Sequence, residues 1–194
     1  MSGGKGSASG TEAGAPGLKA GVFGRKAGAS PAMRVGLISD THGLLRPEAV
    51  TRLRGCKHIV HGGDIGGPEI LDELASLAPL TAVRGNNDAG AWGRQRLKET
   101  ELIRVGEVLL YVIHNLAEID VDPRAQGIRV VVSGHSHKPL IEERRGVLFV
   151  NPGSAGRHRF KLPITVGELL IEGERVSARI VNLEDSGGVD DPQD

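Results

Sequence analysis

Short apolar runs rich in β-branched residues alternate with amphipathic stretches in the first half of the chain. The runs RVGLIS (34–39), KHIVH (57–61) and LTAVRG (80–85) predict three buried strands. Two stretches between them begin at Pro47 and Pro68 and predict helices, because proline is favoured at the first helical position. Strands joined by helices pair in parallel, so this half predicts a βαβαβ unit.

The second half is typical of hairpins. Turns at Gly106 and Gly173 divide two long β-rich runs into antiparallel pairs. Together the two halves predict an α/β fold with a mixed two-sheet architecture. The runs concerned are ELIRVGEVLLYVIH (101–114), AEIDVDPRAQG (117–127, a loop with a short helix), RVVVSG (129–134, a buried strand), LIEERRGVLFVN (140–151) and TVGELLIEGERVSARIVNL (165–183).

Composition divides the 194 residues into three segments. Residues 1–32 are rich in Gly, Ala and Ser and lack apolar periodicity, which predicts a disordered tail. Residues 184–194 carry five acidic side chains and predict a flexible acidic tail. Residues 33–183 are long enough for one domain, and they contain no apolar run that would span a membrane.

Charge and cysteine content exclude several classes of partner. The 24 basic and 24 acidic residues cancel, so no global field would recruit nucleic acid or an anionic membrane. Aromatic residues make up only 3%, too few for a base-stacking platform. The single cysteine, Cys56, excludes an internal disulfide and favours a cytoplasmic protein, with Cys56 a small buried residue rather than a catalytic thiol.

Polar side chains follow five of the predicted strands at the point where each strand ends. Ligand sites in open α/β sheets lie at the carboxyl ends of strands, so we expect these groups to converge. In an extended chain, side chains two residues apart point the same way. We therefore predict that Asp40 and His42 direct two donors at one point, and that His135 and His137 do the same. The full set is Asp40, His42, Asp64, Asn86, His114, His135 and His137.

Carboxylates and imidazoles without thiolates suit a borderline-hard divalent ion such as Mn²⁺, Fe²⁺ or Zn²⁺. Seven donors exceed the needs of one tetrahedral ion and fit two ions that share a carboxylate, about 3.5–4 Å apart in such hydrolases. Each motif alone has a simpler interpretation, since DTH often caps a helix and GGD is a common turn. The ordered set of five makes a chance arrangement improbable.

The series SDTHG, HGGD, RGNND, IH, SGHSH and NPGS (151–154) resembles the calcineurin-like metallophosphoesterases. Within them it is similar to the YfcE-type phosphodiesterase branch, which is related to the retromer subunit Vps29. The resemblance covers residues 33–183. It implies a four-layer sandwich with two central mixed β-sheets flanked by helices, and a dinuclear metal site.

The resemblance also implies a role for each donor. Asp40, His42 and His137 would bind one metal, Asn86, His114 and His135 the other, and Asp64 would bridge them. A bridging hydroxide would be the nucleophile. Asp64, Asn86 and His135 would then act in catalysis through the metals that they hold. We expect Mn²⁺, with Fe²⁺, Zn²⁺, Ni²⁺ and Mg²⁺ as alternatives.

Three departures from the family pattern concern the substrate. Asn87 stands where the larger family often has a histidine that protonates the leaving oxygen, a role worth about 10²–10⁴ in rate. We therefore expect good leaving groups or another acid, either His158 or a metal-bound water. Asn115 replaces a glycine common in relatives, which predicts a narrower site. Arg157, His158 and Arg159 would contact a substrate phosphate, or form a solvated basic loop.

The resulting hypothesis is a two-metal phosphodiesterase that acts on a small phosphodiester, with no membrane partner and with homo-oligomerisation left open. One alternative is a Vps29-like binding module without activity, which would not need all seven donors. The other is a nuclease of the same superfamily, which the neutral charge disfavours. His61 is expected to hydrogen-bond behind the ligands, and Trp92 to pack ordinarily or cover the rim.

Overall fold

A computed structural model of the protein describes residues 32–159 and 161–184. The sequence-based predictions for the tails, 1–32 and 184–194, fall outside the described residues except at Ala32 and Glu184. Within the described part of the chain, no helix has the length and apolar character needed to cross a membrane.

The described residues form three α-helices, two single 3-10 turns and ten strands. The helices are α1 (Pro47–Leu53), α2 (Pro68–Leu77) and α3 (Ala91–Arg96), and the 3-10 turns are Asn86–Asp88 and Leu116–Glu118. The strands are β1 (Met33–Ile38), β2 (His58–His61), β3 (Leu80–Ala82), β4 (Thr100–Val105), β5 (Val108–Ile113), β6 (Val130–Val132), β7 (Leu140–Arg144), β8 (Val147–Asn151), β9 (Thr165–Glu172) and β10 (Arg175–Asn182).

Both sheets are mixed and have five strands. The first has the order β10-β9-β1-β2-β3, in which β1, β2 and β3 are parallel, as the strand–helix alternation predicts. The C-terminal hairpin β9–β10 returns to this sheet and pairs antiparallel with β1, with Val35 opposite Leu169. The second sheet has the order β4-β5-β6-β8-β7, with β5, β6 and β8 parallel and β4 and β7 antiparallel at its edges.

The side-chain period of two divides the core into layers. Val35 and Leu37 of β1 point between the two sheets, where they meet Leu110 and Val112 of β5. Ile38 points to the opposite face of the first sheet. There α1 and α2 cover the sheet with the buried side chains Ala49, Leu53, Ile70, Leu71 and Leu74.

A third cluster covers the outer face of the second sheet. Tyr111, Ile113 and Val131 pack there against Ile128 and the 3-10 turn beginning at Leu116. The expected α/β fold with two central mixed sheets is therefore confirmed. The layer on this face consists of a 3-10 turn and loop.

Helix α3 was not predicted from the sequence. It is six residues long and includes Gly93, so its apolar pattern is too short to show a helical period. Trp92 lies on this helix and packs, partly buried, against the helix-covered core of the first sheet. Ordinary packing is thus the interpretation that the structure supports for Trp92.

The carboxyl ends of strands from both sheets meet at one edge of the sandwich. The loop after β2 hydrogen-bonds to the end of β1 through Gly62 N and Ile38 O at 2.8 Å. The same glycine accepts a hydrogen bond from His114 Nδ1, which follows β5 in the second sheet, at 2.7 Å. This edge is where the predicted donors lie.

Candidate metal centre

Five of the seven predicted ligands converge in two overlapping groups. Asp40, His42 and His137 form one group, and Asp40, Asp64 and His114 form the other. In each group the potential ligand atoms all lie within 4.8 Å of one another. The groups combine residues that follow β1 and β2 of the first sheet with residues that follow β5 and β6 of the second.

The ligand atoms of the first group lie close together. His42 Nε2 and His137 Nε2 are 3.3 Å apart, and His137 Nε2 is 3.2 Å from Asp40 Oδ1. His42 Nε2 is 4.0 Å from the same carboxylate oxygen. The two ring nitrogens and the carboxylate oxygen therefore surround one small volume at this edge of the sheets.

Asp64 lies between the two groups. Its Oδ2 is 3.8 Å from His42 Nε2, and its Oδ1 is 3.6 Å from His114 Nε2. Each oxygen thus faces a histidine from a different group, which is the arrangement that a carboxylate shared by two ions requires.

Two buried atoms of the centre lack a hydrogen-bond partner among the described residues, Asp40 Oδ1 and His114 Nε2. Because His114 Nδ1 donates to Gly62 O, its Nε2 carries a lone pair and cannot itself donate. Buried polar atoms without partners are rare in folded proteins, since each costs about 1–3 kcal/mol. Divalent cations would satisfy both atoms, so the donor set fits the metals that the resemblance implies.

The backbone at the candidate ligands adopts an unusual conformation. Among the described residues other than glycine, six have φ in the left-handed region, and five of these are candidate ligands. Their φ values run from 46° to 66°. Asp and His tolerate this region better than most residues, yet each such position costs about 1–2 kcal/mol. The five are Asp40, His42, Asp64, His135 and His137.

The left-handed backbone corrects one sequence-based prediction. We expected residues two apart to point the same way because the strands would continue through them, but β1 ends at Ile38 and β6 at Val132. Asp40 and His42 still meet, through a turn. His135 and His137 diverge: His137 joins Asp40 and His42, whereas the ring of His135 packs edge-on against His114 with centroids 5.2 Å apart.

The remaining two predicted ligands are more exposed. His135 and Asn86 are solvent-accessible, in contrast to the buried Asp64 and His114. Asn86 and His114 line the same cavity, which has a volume of about 490 Å³. The structure therefore places His135 and Asn86 on the His114 side of Asp64, opposite the group formed by His42 and His137.

Backbone hydrogen bonds join the two loops that carry the acidic ligands. Asp40 N donates to Gly63 O at 3.0 Å, and His42 N donates to Asp64 O at 2.9 Å. Ser39 Oγ donates to Asp40 Oδ2 at 2.6 Å, which directs the other oxygen of Asp40 at the histidines. No sequence pattern predicted this role for Ser39, which is marked only by its place beside the motif.

Asp88 fixes the neighbouring loops through its carboxylate. Its two oxygens accept hydrogen bonds from the backbone N–H groups of Ile65, Gly66 and Gly85 at 3.0–3.1 Å. Asp88 is fully buried and so ties the loop after β2 to the loop after β3. Sequence analysis overlooked it, although it closes the GNND motif.

Asn151 performs a similar task for the loop after β6. Its Nδ2 donates to Gly134 O at 2.6 Å and to Ser136 Oγ at 3.1 Å, on either side of His135. Its Oδ1 accepts from Gly153 N at 2.9 Å. Asn151 begins the NPGS motif, but the motif alone did not predict this role.

His61 hydrogen-bonds behind the ligands, as expected, and is fully buried. Gly63 N donates to His61 Nδ1 at 3.1 Å, so the proton of the neutral ring is on Nε2, which lies 3.0 Å from Thr41 Oγ1. Thr41 Oγ1 in turn donates a hydrogen bond to Ile65 O at 2.9 Å. Burial lowers the pKa of His61 to about 4, against the partial opposition of nearby Asp40, and keeps the ring neutral.

The protonation of two candidate ligands suits metal binding. Burial lowers the pKa of His42, although Asp64 opposes the shift, so the ring offers a lone pair near neutral pH. Burial raises the pKa of Asp40, but the His137 ring and the Ser39 hydroxyl outweigh it, and the net shift is downward. Both groups are therefore in the form that binds cations.

Asn87 contacts the bridging candidate directly. Its backbone N–H donates to Asp64 Oδ1 at 2.8 Å, and its side-chain Nδ2 donates to Asp64 Oδ2 at 2.7 Å. The side chain therefore orients the Asp64 carboxylate, a contact that sequence analysis did not foresee when it assigned Asn87 to the substrate.

The predicted substrate residues of the basic loop have other contacts. His158 Nε2 is 3.2 Å from Glu184 Oε1, and Arg157, His158 and Arg159 border a small crevice that His137 also lines. Asn115 lies on the wall of the 490 Å³ cavity, as its predicted narrowing role requires. His58 Nε2 bonds Thr81 Oγ1 at 2.8 Å.

Comparison with known proteins agrees with this geometry. Residues 33–174 match the model of the calcineurin-like phosphoesterase superfamily domain. A probable metallophosphoesterase of Methanothermobacter thermautotrophicus is 38% identical over 77% of this chain and 92% of its own length. A phosphodiesterase of Methanocaldococcus jannaschii is 24% identical over 78% of this chain and 100% of its length. The structure of vacuolar protein sorting 29 from Cryptosporidium parvum is 20% identical, covers 79% of this chain and 93% of its own, and superposes with a TM-score of 0.67.

Proposed function

We propose, because this chain belongs to the calcineurin-like phosphoesterase superfamily, that it hydrolyses phosphate diesters at a centre of two divalent ions. We further propose Mn²⁺ as the metal and a small diester as the substrate. Asp40, His42 and His137 would hold one ion, and Asn86, His114 and His135 the other, with Asp64 shared. The phosphodiesterase named among the relatives supports this choice of reaction.

The observation that carries the proposal is the pair of buried atoms in the centre without hydrogen-bond partners among the described residues, Asp40 Oδ1 and His114 Nε2. Asp64 lies beside them and presents one oxygen to His42 Nε2 and the other to His114 Nε2. A binding module without activity has no need to keep such atoms buried, since each one weakens the fold.

The chain's own residues would orient the reaction. When bound, two divalent ions would lower the pKa of a shared water toward neutrality and offset the charge of the phosphate oxygens. Asn87 holds Asp64 in place through two hydrogen bonds. An amide is a very weak acid, so Asn87 cannot protonate the leaving oxygen, and good leaving groups would react fastest.

Metal content and hydrolysis test this proposal together. Purified protein should bind two Mn²⁺ ions per chain, measured by elemental analysis and calorimetric titration. It should hydrolyse bis(p-nitrophenyl) phosphate faster than p-nitrophenyl phosphate. Asp64→Ala should abolish turnover, whereas Asp72→Ala, at an exposed position on α2, should not change it. Binding of no metal would reject the proposal and leave a binding module as the remaining interpretation.

A further inference from the structure

The cavity of about 490 Å³ lies beside the His114 end of the candidate metal centre. Asn86 and His114 form the part of its wall that belongs to the centre, and Glu99, Glu118 and Asp120 also line it. It is far larger than a phosphate group needs. Its position fits the organic portion of a substrate whose phosphate is held by the metals.

The cavity wall is acidic. It carries three carboxylates against a single guanidinium, that of Arg84, and Arg84 forms an ion pair with Glu99. Among the described residues no cationic side chain pairs with Glu118 or Asp120. Two negative charges on this wall are thus left without a protein counter-charge.

Glu118 is held at the wall by a local structure. Asn115 Nδ2 donates to Glu118 Oε1 at 2.9 Å, while Asn115 Oδ1 accepts from Ala117 N at 3.1 Å and caps the 3-10 turn. Both residues line the cavity. The position of the Glu118 carboxylate is therefore set before any ligand arrives.

The opposite end of the centre has the reverse charge. Arg157 and Arg159 border the crevice shared with His137, so the basic loop lies on the side of the first metal group. His114 Nε2, buried and without a partner, marks the acidic side. A substrate that is anionic at one end and cationic at the other matches this polarity.

We propose that the cavity selects phosphodiesters whose alcohol carries an ammonium group, with the ammonium beside Glu118 and Asp120 and the phosphate at the metal centre. The inference rests on the proposed function and names its substrate class. The same charges disfavour alcohols that bear further phosphates or carboxylates. Glu118 and Asp120 are exposed, and exposed ion pairs are worth little individually, so we expect a preference of about three- to fivefold in kcat/KM.

A matched pair of substrates isolates the ammonium. p-Nitrophenyl phosphorylcholine and p-nitrophenyl 3,3-dimethylbutyl phosphate share a leaving group and a shape, and they differ by one positive charge. The Mn²⁺-loaded protein should hydrolyse the choline ester with the higher kcat/KM. The ratio of the two kcat/KM values should fall as the salt concentration is raised. A ratio near one would overturn the inference, while continued hydrolysis of both esters would leave the proposed function standing.

Charge-removing variants locate the effect. The double variant E118Q/D120N should bring the ratio close to one, and Glu118→Gln keeps an oxygen for the Asn115 hydrogen bond. Glu174→Gln is the control, since this exposed residue lies in the β9–β10 turn at the opposite end of β1. A ratio that survives in E118Q/D120N would overturn the assignment to this cavity.

Binding of non-hydrolysable analogues provides a readout that is independent of turnover. Calorimetry should show 3-(trimethylammonio)propylphosphonate binding about three- to fivefold more tightly than 4,4-dimethylpentylphosphonate, again with loss of the difference in E118Q/D120N. If neither ester is hydrolysed, the proposed function fails, and the phosphonate pair still decides the inference. Equal affinities for the two phosphonates would overturn it.

Discussion

The candidate ligands are set apart from ordinary polar residues by their backbone as well as their chemistry. Five of them occupy the left-handed region, which stores strain that the surrounding loops must hold. Sequence patterns identified these residues because carboxylate, imidazole and amide follow successive strands. They did not reveal the direction of each side chain, since a left-handed residue removes the period of two on which that expectation rested.

Asn87 shows how the structure changes the meaning of one residue. In Asn87→His, an imidazole replaces the amide that donates to Asp64 Oδ2 and introduces a proton donor. We expect phosphomonoesterase activity to rise relative to diesterase activity by at least about tenfold, since a well-positioned general acid contributes about 10²–10⁴ in rate. The measurement is kcat/KM for p-nitrophenyl phosphate and its bis ester.

Asn87→Leu is the matched control for this prediction. It removes the same hydrogen bond to Asp64 and adds no acid, so it should weaken both activities and leave their ratio unchanged. An equal ratio in Asn87→His and the original protein would show that position 87 does not reach the leaving oxygen.

His61 predicts a pH dependence of folding stability. Its pKa is about 4 in the folded protein and near the ordinary value of 6.5 when unfolded. Below pH 6.5 the His61 ring is protonated in the unfolded chain but stays neutral in the folded one. The free energy of unfolding should therefore fall as pH drops from 6.5 to 4. The share of His61 in this loss is up to roughly 3 kcal/mol.

Urea unfolding of metal-free protein between pH 7.5 and 4 would measure this effect. His61→Gln removes the titrating ring and should flatten the curve. An unaltered slope in His61→Gln would mean that other groups cause the acid sensitivity.

At the scale of elements, the sequence predicted the strands and the two longer helices but not the conformation of the loops. The apolar runs of β1, β2 and β6 and the proline starts of α1 and α2 carried clear signals. Helix α3 is too short to show a helical period in its apolar residues. The local sequence of β9 does not indicate that this strand pairs with β1. That pairing depends on contacts between residues 130 or more positions apart, which a local pattern cannot encode.

The Asp88 clamp is the element-scale feature most open to test. Asp88→Ala leaves three backbone N–H groups without their acceptor, those of Ile65, Gly66 and Gly85. Unsatisfied buried donors cost about 1–3 kcal/mol each, and with some relaxation we expect a total loss near 3–5 kcal/mol. Chemical denaturation would measure it.

Asp72→Ala serves as the comparison for Asp88→Ala. Asp72 is exposed and, in the described part of the chain, pairs with the exposed Arg96, so its removal should cost less than about 1 kcal/mol. Similar losses in the two variants would show that Asp88 is not a structural clamp.

For the whole molecule, the centre joins the two sheets at their shared edge. The first sheet supplies Asp40, His42 and Asp64, and the second supplies His114 and His137. A metal bound at this edge would tie the sheets together, in addition to the apolar core between them. Metal binding should therefore stabilise the entire domain.

Thermal unfolding with and without Mn²⁺ tests this coupling. A ligand at 1,000 times its Kd adds about 4 kcal/mol, which raises Tm by about 10 °C in a domain of this size. Removal by chelator should reverse the shift. His42 from the first sheet and His114 from the second belong to the ligand sets of different ions, so His42→Ala and His114→Ala should each reduce the shift by about half, whereas Glu174→Gln should keep it. A full shift in either histidine variant would show that this histidine binds no ion and contradict a centre shared between the sheets.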